Sequence, residues 1–186
     1  MNRPLRALTT RYSGITRVPF VEVEFSEAFD PTTTANPPPS KKFKAIWDTG
    51  ATSTVITPKI VKDLNLKPVT KADAKTAGGS LKADVCLVNL TLPNGVRIIG
   101  IPACVLPVTD GDALIGMDVI SGGDFAISSE GGKSVLSFQF PSIHTIDFVK
   151  EVNESNQDQQ VVMDEQEKKR QRNIRKRQNR KWWRRG

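Results

Sequence analysis

The feature that most restricts the fold of this chain is its punctuation. Short apolar runs are cut repeatedly by twelve prolines and thirteen glycines across 186 residues. Such spacing favours short strands joined by turns, so the expected class is mainly β. Pro19–Phe25 alternates apolar and acidic residues, the period of a half-buried strand. Residues 30–42 carry Pro31, Pro37, Pro38, Pro39 and three threonines, and read as a long exposed loop. Phe43–Trp47 and Thr54–Thr57 are extended apolar runs. Pro58–Leu64 reads as a short helix, with Thr57 as cap, Pro58 in the first turn and Ile60, Val61 and Leu64 on one face. Lys71–Ser80 is polar and contains Gly78-Gly79. Leu81–Leu92 and Val96–Val108 read as strands, with Asn94-Gly95 suited to a two-residue hairpin turn between them. Ala113–Gly116 reads as a short buried strand and Met117–Ser121 as a short helix. Phe125–Ser128 and Val135–Phe140 form a second expected hairpin across Glu130-Gly131-Gly132.

Charge divides the chain sharply. The net charge is +7, yet residues 168–185 hold eleven basic side chains and no acidic one. Residues 1–167 hold 16 basic and 20 acidic side chains, a balance of −4. A mildly acidic domain thus precedes a strongly basic tail, which bears on partners rather than on fold. The expected organisation is an N-terminal arm over 1–17, a β domain over 18–141, a polar linker over 142–160, and a basic tail over 161–186, helical or disordered. No stretch of about 18 apolar residues is present, so no membrane span is expected. The N-terminal residues 1–14 lack an apolar core after Arg3, Arg6 and Arg11, so no secretory signal is read there. Cys86 and Cys104 show no metal-ligand spacing; they read as reduced thiols of a cytoplasmic protein, with a disulfide between neighbouring strands as the alternative.

The chemistry centres on Asp48-Thr49-Gly50-Ala51-Thr52, set between the strand-like runs ending at Trp47 and starting at Thr54. Hydrolysing a peptide without metal or covalent intermediate requires a base for water and an acid for the leaving nitrogen. Two carboxylates about 3 Å apart do both, because like charges that close share one proton. Gly50 leaves the backbone unobstructed, so amides can reach the carboxylate. Competing signatures are missing: there is no G-x-S-x-G, H-E-x-x-H, P-loop or G-x-G-x-x-G, and His144 is the one histidine. No metal site and no cofactor are expected.

The order of Asp48-Thr49-Gly50, Gly78-Gly79 and Leu114-Ile115-Gly116 resembles the retroviral-type, or retropepsin-like, aspartic protease family over about Val18–Phe140. The resemblance implies a single-lobe acid-protease fold with Asp48 as the catalytic residue. It implies that Thr49 and Gly50 support the catalytic loop and that Ile115-Gly116 packs behind it. It makes Gly78 and Gly79 the tip of a flap, where an ordinary surface turn is the alternative. Trp47 is bulkier than the aliphatic residue usual before the aspartate. One Asp-Thr-Gly in a chain this short implies a homodimer with the site on its axis. Three readings of function stand at this point: an active peptidase, a protease-like dimerisation or peptide-binding module without turnover, and a nucleic-acid-associated protein whose domain dimerises the tail. For residues 168–185 the partners considered are a nucleic acid, an acidic protein or membrane surface, or solvent alone.

Overall fold

The computed structural model describes residues 4–76 and 78–182. Two compact units result, residues 1–143 and 144–186. The first contains ten strands and two short helices. A seven-stranded sheet runs in the order β2 (Phe20–Glu27), β3 (Lys41–Trp47), β8 (Ala113–Ile115), β4 (Val55–Ile56), β7 (Arg97–Val105), β6 (Gly79–Thr91), β5 (Thr70–Thr76). β2 also pairs antiparallel with β6 through Glu24–Thr91 to Glu27–Val88, which closes the sheet on itself. Closure pairs β2 on both sides, leaves β5 as an edge strand, and lets one face of the closed strands fill a common interior. The alternation expected of Pro19–Phe25 supplies that face: Val21, Val23 and Phe25 are buried while Glu22 is exposed and Glu24 half-buried. Phe25, Ile56, Ile60, Leu90 and Ile115 are fully buried, each worth about 1.5–3 kcal/mol relative to exposure.

The expected helices are present as α1 (Pro58–Asp63), with Pro58 in its first turn, and α2 (Met117–Ile120). Residues 28–40, the Pro- and Thr-rich segment, contain no strand or helix. A smaller antiparallel sheet has the order β1 (Arg6–Arg11), β10 (Val135–Phe140), β9 (Asp124–Ser128). β1 and β5 were not legible in the sequence. Both are largely exposed on both faces, so neither shows apolar alternation. They exist because long-range ladders pair β1 with β10 and β5 with β6. The turn at Pro93-Asn94-Gly95 differs from the two-residue form expected. Leu92 N–H donates to the Val96 carbonyl at 2.8 Å, so three residues make the connection.

The two cysteines are free. Their strands are neighbours, but Cys86 lies opposite Ala103 and Cys104 opposite Val85. Adjacent positions on a strand point to opposite faces, so the register puts the two thiols on different sides of the sheet.

The second unit contains α3 (Phe148–Trp182), one helix of 35 residues. It crosses the position where the sequence suggests a boundary between linker and tail at 160–161. Residues 145–182 contain neither Pro nor Gly, so no breaker interrupts the backbone ladder. Its described side chains are exposed, and no described helix is long and apolar enough to cross a membrane.

Candidate active site

Asp48 is placed by β3. Trp47, the last residue of that strand, pairs with Ile115 of β8 in a parallel register. Its ring lies 5.0 Å from Phe138 and 5.5 Å from Phe125, between centroids. The large residue before the aspartate therefore joins the closed sheet to the smaller one. Its backbone N–H donates to the Pro19 carbonyl at 3.0 Å. Asp48 N–H continues the ladder to the Ile115 carbonyl at 3.0 Å. The residue that carries the carboxylate is thus anchored to a fully buried strand end.

Beyond that anchor the chain turns. The Asp48 carbonyl accepts from Ala51 N–H at 3.2 Å, and Asp48 Oδ1 accepts from Gly50 N–H at 2.9 Å. The second bond orients the carboxylate and leaves its other oxygen free for a ligand. Asp48 is half-buried, whereas Thr49 and Gly50 are exposed. Among the described residues the Thr49 hydroxyl has no hydrogen-bond partner.

The floor of the loop is built by the segment after β8. Met117 N–H donates to the Ala51 carbonyl at 2.8 Å, and Asp118 N–H to the Thr52 carbonyl at 3.2 Å. The Asp118 carboxylate accepts from Thr54 N–H at 2.8 Å and from Thr54 Oγ1 at 2.9 Å. Thr54 is fully buried, so these charge-assisted bonds satisfy groups that water cannot reach. Gly116 lies so close beneath the loop that a Cβ there would sit 2.6 Å from the Ser53 carbonyl carbon and 2.7 Å from its oxygen. Asp112 ties the neighbouring strands: Lys44 N–H donates to its Oδ2 at 3.1 Å, and Lys59 reaches its Oδ1 at 3.1 Å. That contact raises the Lys59 pKa through its hydrogen bond to Asp112. Cys104, whose N–H donates to the Thr54 carbonyl at 3.1 Å, has its thiol pKa pushed up by burial and by the charge of Asp118.

Gly78 and Gly79 fall at the tip of the β5–β6 hairpin, where Thr76 pairs with Gly79. Thr76 Oγ1 accepts from Gly78 N–H at 3.2 Å and donates to the Gly79 carbonyl at 3.0 Å. Gly79 has φ of +114°, a conformation that side chains rarely adopt. The fold therefore brings Ile115 against Asp48 and Gly116 against Ser53, but no hydrogen bond joins the described part of the hairpin tip to that loop. A cavity of about 460 Å³ opens beside Asp118, with Arg6, Arg97, Ile98, Val119 and Phe140 among its walls; Asp48 does not line it. No cluster of three or more His, Cys, Asp or Glu able to hold a metal ion occurs among the described residues.

Asp48 thus stands on a turn after a buried strand, its carboxylate held by the glycine two residues on. Residues 36–119, from the loop before β3 into α2, match a family model described as aspartyl protease. That match spans less than half of the chain and takes in Asp48-Thr49-Gly50, β8 and the start of α2. The folded unit is similar to the crystal structure of a retropepsin-like aspartic protease from Rickettsia conorii, at 13% identity and a TM-score of 0.44, over 75% of this chain and 98% of that one. It is also similar to the solution structure of the simian foamy virus protease, at 21% identity and a TM-score of 0.37, over 55% of this chain and 92% of that one. No curated protein sequence matches the chain.

Asp118 and Thr54 are the residues beneath the Asp48 loop that sequence reading missed. Asp118 lacks the Asp-Thr-Gly setting, so local sequence does not mark it. The signal lies in the pair: a carboxylate two residues past Ile115-Gly116 and a hydroxyl six past Asp48. Their contact at a separation of 64 residues becomes visible once the strands are assembled.

Proposed function

We propose that this chain is an aspartic endopeptidase that works as a homodimer, each copy supplying one Asp48. The observation that carries the reading is the placement of a single half-buried Asp48, its Oδ1 held by Gly50 N–H, on an exposed loop. The match to aspartyl proteases supports hydrolase chemistry of this class. A single carboxylate cannot serve as both acid and base, and the chain contains one Asp-Thr-Gly. A two-fold axis through the loop would set the two carboxylates side by side, sharing one proton.

In that arrangement the ionised carboxylate takes a proton from water as the water oxygen attacks the peptide carbonyl carbon. The protonated carboxyl gives its proton to the carbonyl oxygen. As the tetrahedral intermediate collapses, the C–N bond breaks and a proton passes to the leaving nitrogen. Thr49, with a free and exposed hydroxyl, is suited to bond the partner's loop. The β5–β6 hairpin with Gly78 and Gly79 at its tip would close over an extended peptide and exclude water. The two free thiols suit a reducing compartment such as the cytoplasm.

The test is cleavage of a diverse peptide library by the purified chain and by Asp48→Asn. The substitution keeps the shape and removes the acid–base pair, so turnover should fall by at least about 10²–10⁴-fold. Wild-type turnover in Asp48→Asn would sink the mechanism. Absence of turnover in both proteins, with peptide still bound, would identify a peptide-binding module instead. Specific activity should also drop on dilution, as dimers dissociate. Thr49→Val should weaken self-association by about 0.5–1.5 kcal/mol, read by analytical ultracentrifugation.

A further inference from the structure

The mechanism above leaves α3 without a task. It is largely polar, with Phe148, Val149, Val152, Val162, Met163 and Ile174 exposed among its polar residues, and its charge is segregated end to end. From Asp147, just before its start, to residue 167 the chain carries seven acidic residues and one lysine. From 168 to 182 it carries nine basic residues and no acidic one. In a single uninterrupted helix this order sets anions toward the N-terminus and cations toward the C-terminus, in accord with the helix dipole. The arrangement stabilises the helix without any packed face.

The basic half can be set beside three paired lysines of the folded domain. Lys42, Lys59 and Lys71 each meet a carboxylate within 3.1 Å. Among the described residues 168–175, the one ion pair is the 3.8 Å contact of Arg170 with Glu167. Lys168, Lys169, Arg170, Arg172 and Arg175 are all exposed. At about 100° per residue they spread over much of the helix circumference rather than forming one stripe. A helix with cations on several sides fits a partner that surrounds it or tracks along it, and does not fit a flat acidic protein patch.

The linear charge density points to the class of partner. Fifteen helical residues span about 22 Å. Duplex DNA presents about one phosphate charge per 1.7 Å, or about 13 over that length. Nine basic residues from 168 to 182 stand against that number, with Arg184 and Arg185 beyond. The acidic segment 147–167 of a second copy cannot neutralise them, since its net charge is six negative against eleven positive over 168–185. We infer that the basic half of α3 is a nucleic-acid-binding helix that contacts phosphates without sequence preference. Because it lies outside the catalytic loop, binding is independent of Asp48.

Fluorescence anisotropy of the full chain with a labelled single-stranded RNA and a labelled DNA duplex, at two salt concentrations, tests this. Neutralising 6–10 phosphates should cost roughly 10³–10⁵-fold in affinity between about 50 and 200 mM salt. The combined variant Arg172→Gln, Arg175→Gln, Arg177→Gln and Arg180→Gln keeps helix propensity and removes charge. It should bind more weakly, with a log–log salt slope shallower by about 0.9 per lost duplex contact or about 0.7 on single strands. Circular dichroism should show its helix content unchanged. Asp48→Asn should bind like the parent, which separates this inference from the peptidase reading. Equal affinity of parent and variant, or no binding by the parent at low salt, would overturn it. So would capture by phosphatidylserine vesicles without nucleic-acid binding, which would make the partner a membrane surface.

Discussion

The loop carrying Asp48 and the hairpin carrying Gly78-Gly79 are both turns rich in small residues, but they are held in opposite ways. The Asp48 loop is tied at each step to the segment beneath it: Asp48 N–H to Ile115, Met117 N–H to Ala51, Asp118 N–H to Thr52, and Thr54 to the Asp118 carboxylate. Gly116 packs against Ser53 too closely for a side chain. The hairpin is held by its own ladder and by Thr76, and nothing lies within 4 Å of a Cβ placed on Gly79. One turn is preorganised by contacts distant in sequence, the other is shaped by local backbone conformation. In the proposed peptidase, rigid placement would serve Asp48, which must meet a substrate atom accurately, and open surroundings would serve a hairpin that closes over peptide.

The contrast breaks most visibly at Gly116. Gly116→Ala forces its Cβ into the Ser53 backbone, which cannot rotate away. Stability should fall by about 1–3 kcal/mol in urea denaturation, and any turnover should fall with it. A neutral Gly116→Ala would show that the loop floor yields. Asp118→Ala comes next. It leaves the buried Thr54 N–H and hydroxyl without their acceptor, at a cost of about 1–3 kcal/mol. Asp118→Asn, which retains an acceptor oxygen, should recover part of that loss.

The hairpin should respond on a smaller scale. Gly79→Ala must adopt φ of +114° or reshape the tip, and should cost about 1 kcal/mol. Gly78→Ala meets only Thr76 Oγ1 at 3.7 Å, so its stability should stay within about 0.5 kcal/mol of the parent. If the hairpin closes over peptide, Gly79→Ala should raise KM while the catalytic loop keeps its stability contacts. The smallest effect is at Cys104. Burial and Asp118 raise its pKa, so at pH 8 less thiolate is present than for a free cysteine, and alkylation by iodoacetamide should be slower. The sign of the linkage follows: this contribution to stability is present below the unfolded thiol pKa and is lost as pH rises toward the folded one. Asp118→Asn should speed alkylation by removing the nearby charge.

Much of this was legible in the chain because it rests on local identity. Asp48-Thr49-Gly50 between two apolar runs, the alternation of Val21, Val23 and Phe25, and Pro58 opening α1 each need a few neighbouring residues to be read. The β1 and β5 strands were illegible because their polar residues carry no periodic signal; distant partners make them strands. The Asn94-Gly95 turn type was misread because Leu92 and Val96, not the dipeptide, close the connection.

What the sequence by itself determined is the Asp48-Thr49-Gly50 motif between two apolar runs, the mainly β class and the segregation of charge between domain and tail, since each depends on residue type in local order. The tertiary structure alone decided that Asp118 supports Thr54 and that Trp47 joins two sheets. It also decided that Cys86 and Cys104 lie on opposite faces and that β2 closes on β6. These depend on register and on contacts between residues tens of positions apart. A hydrogen bond across 64 residues depends on how the intervening strands pair, and no local pattern encodes that partner.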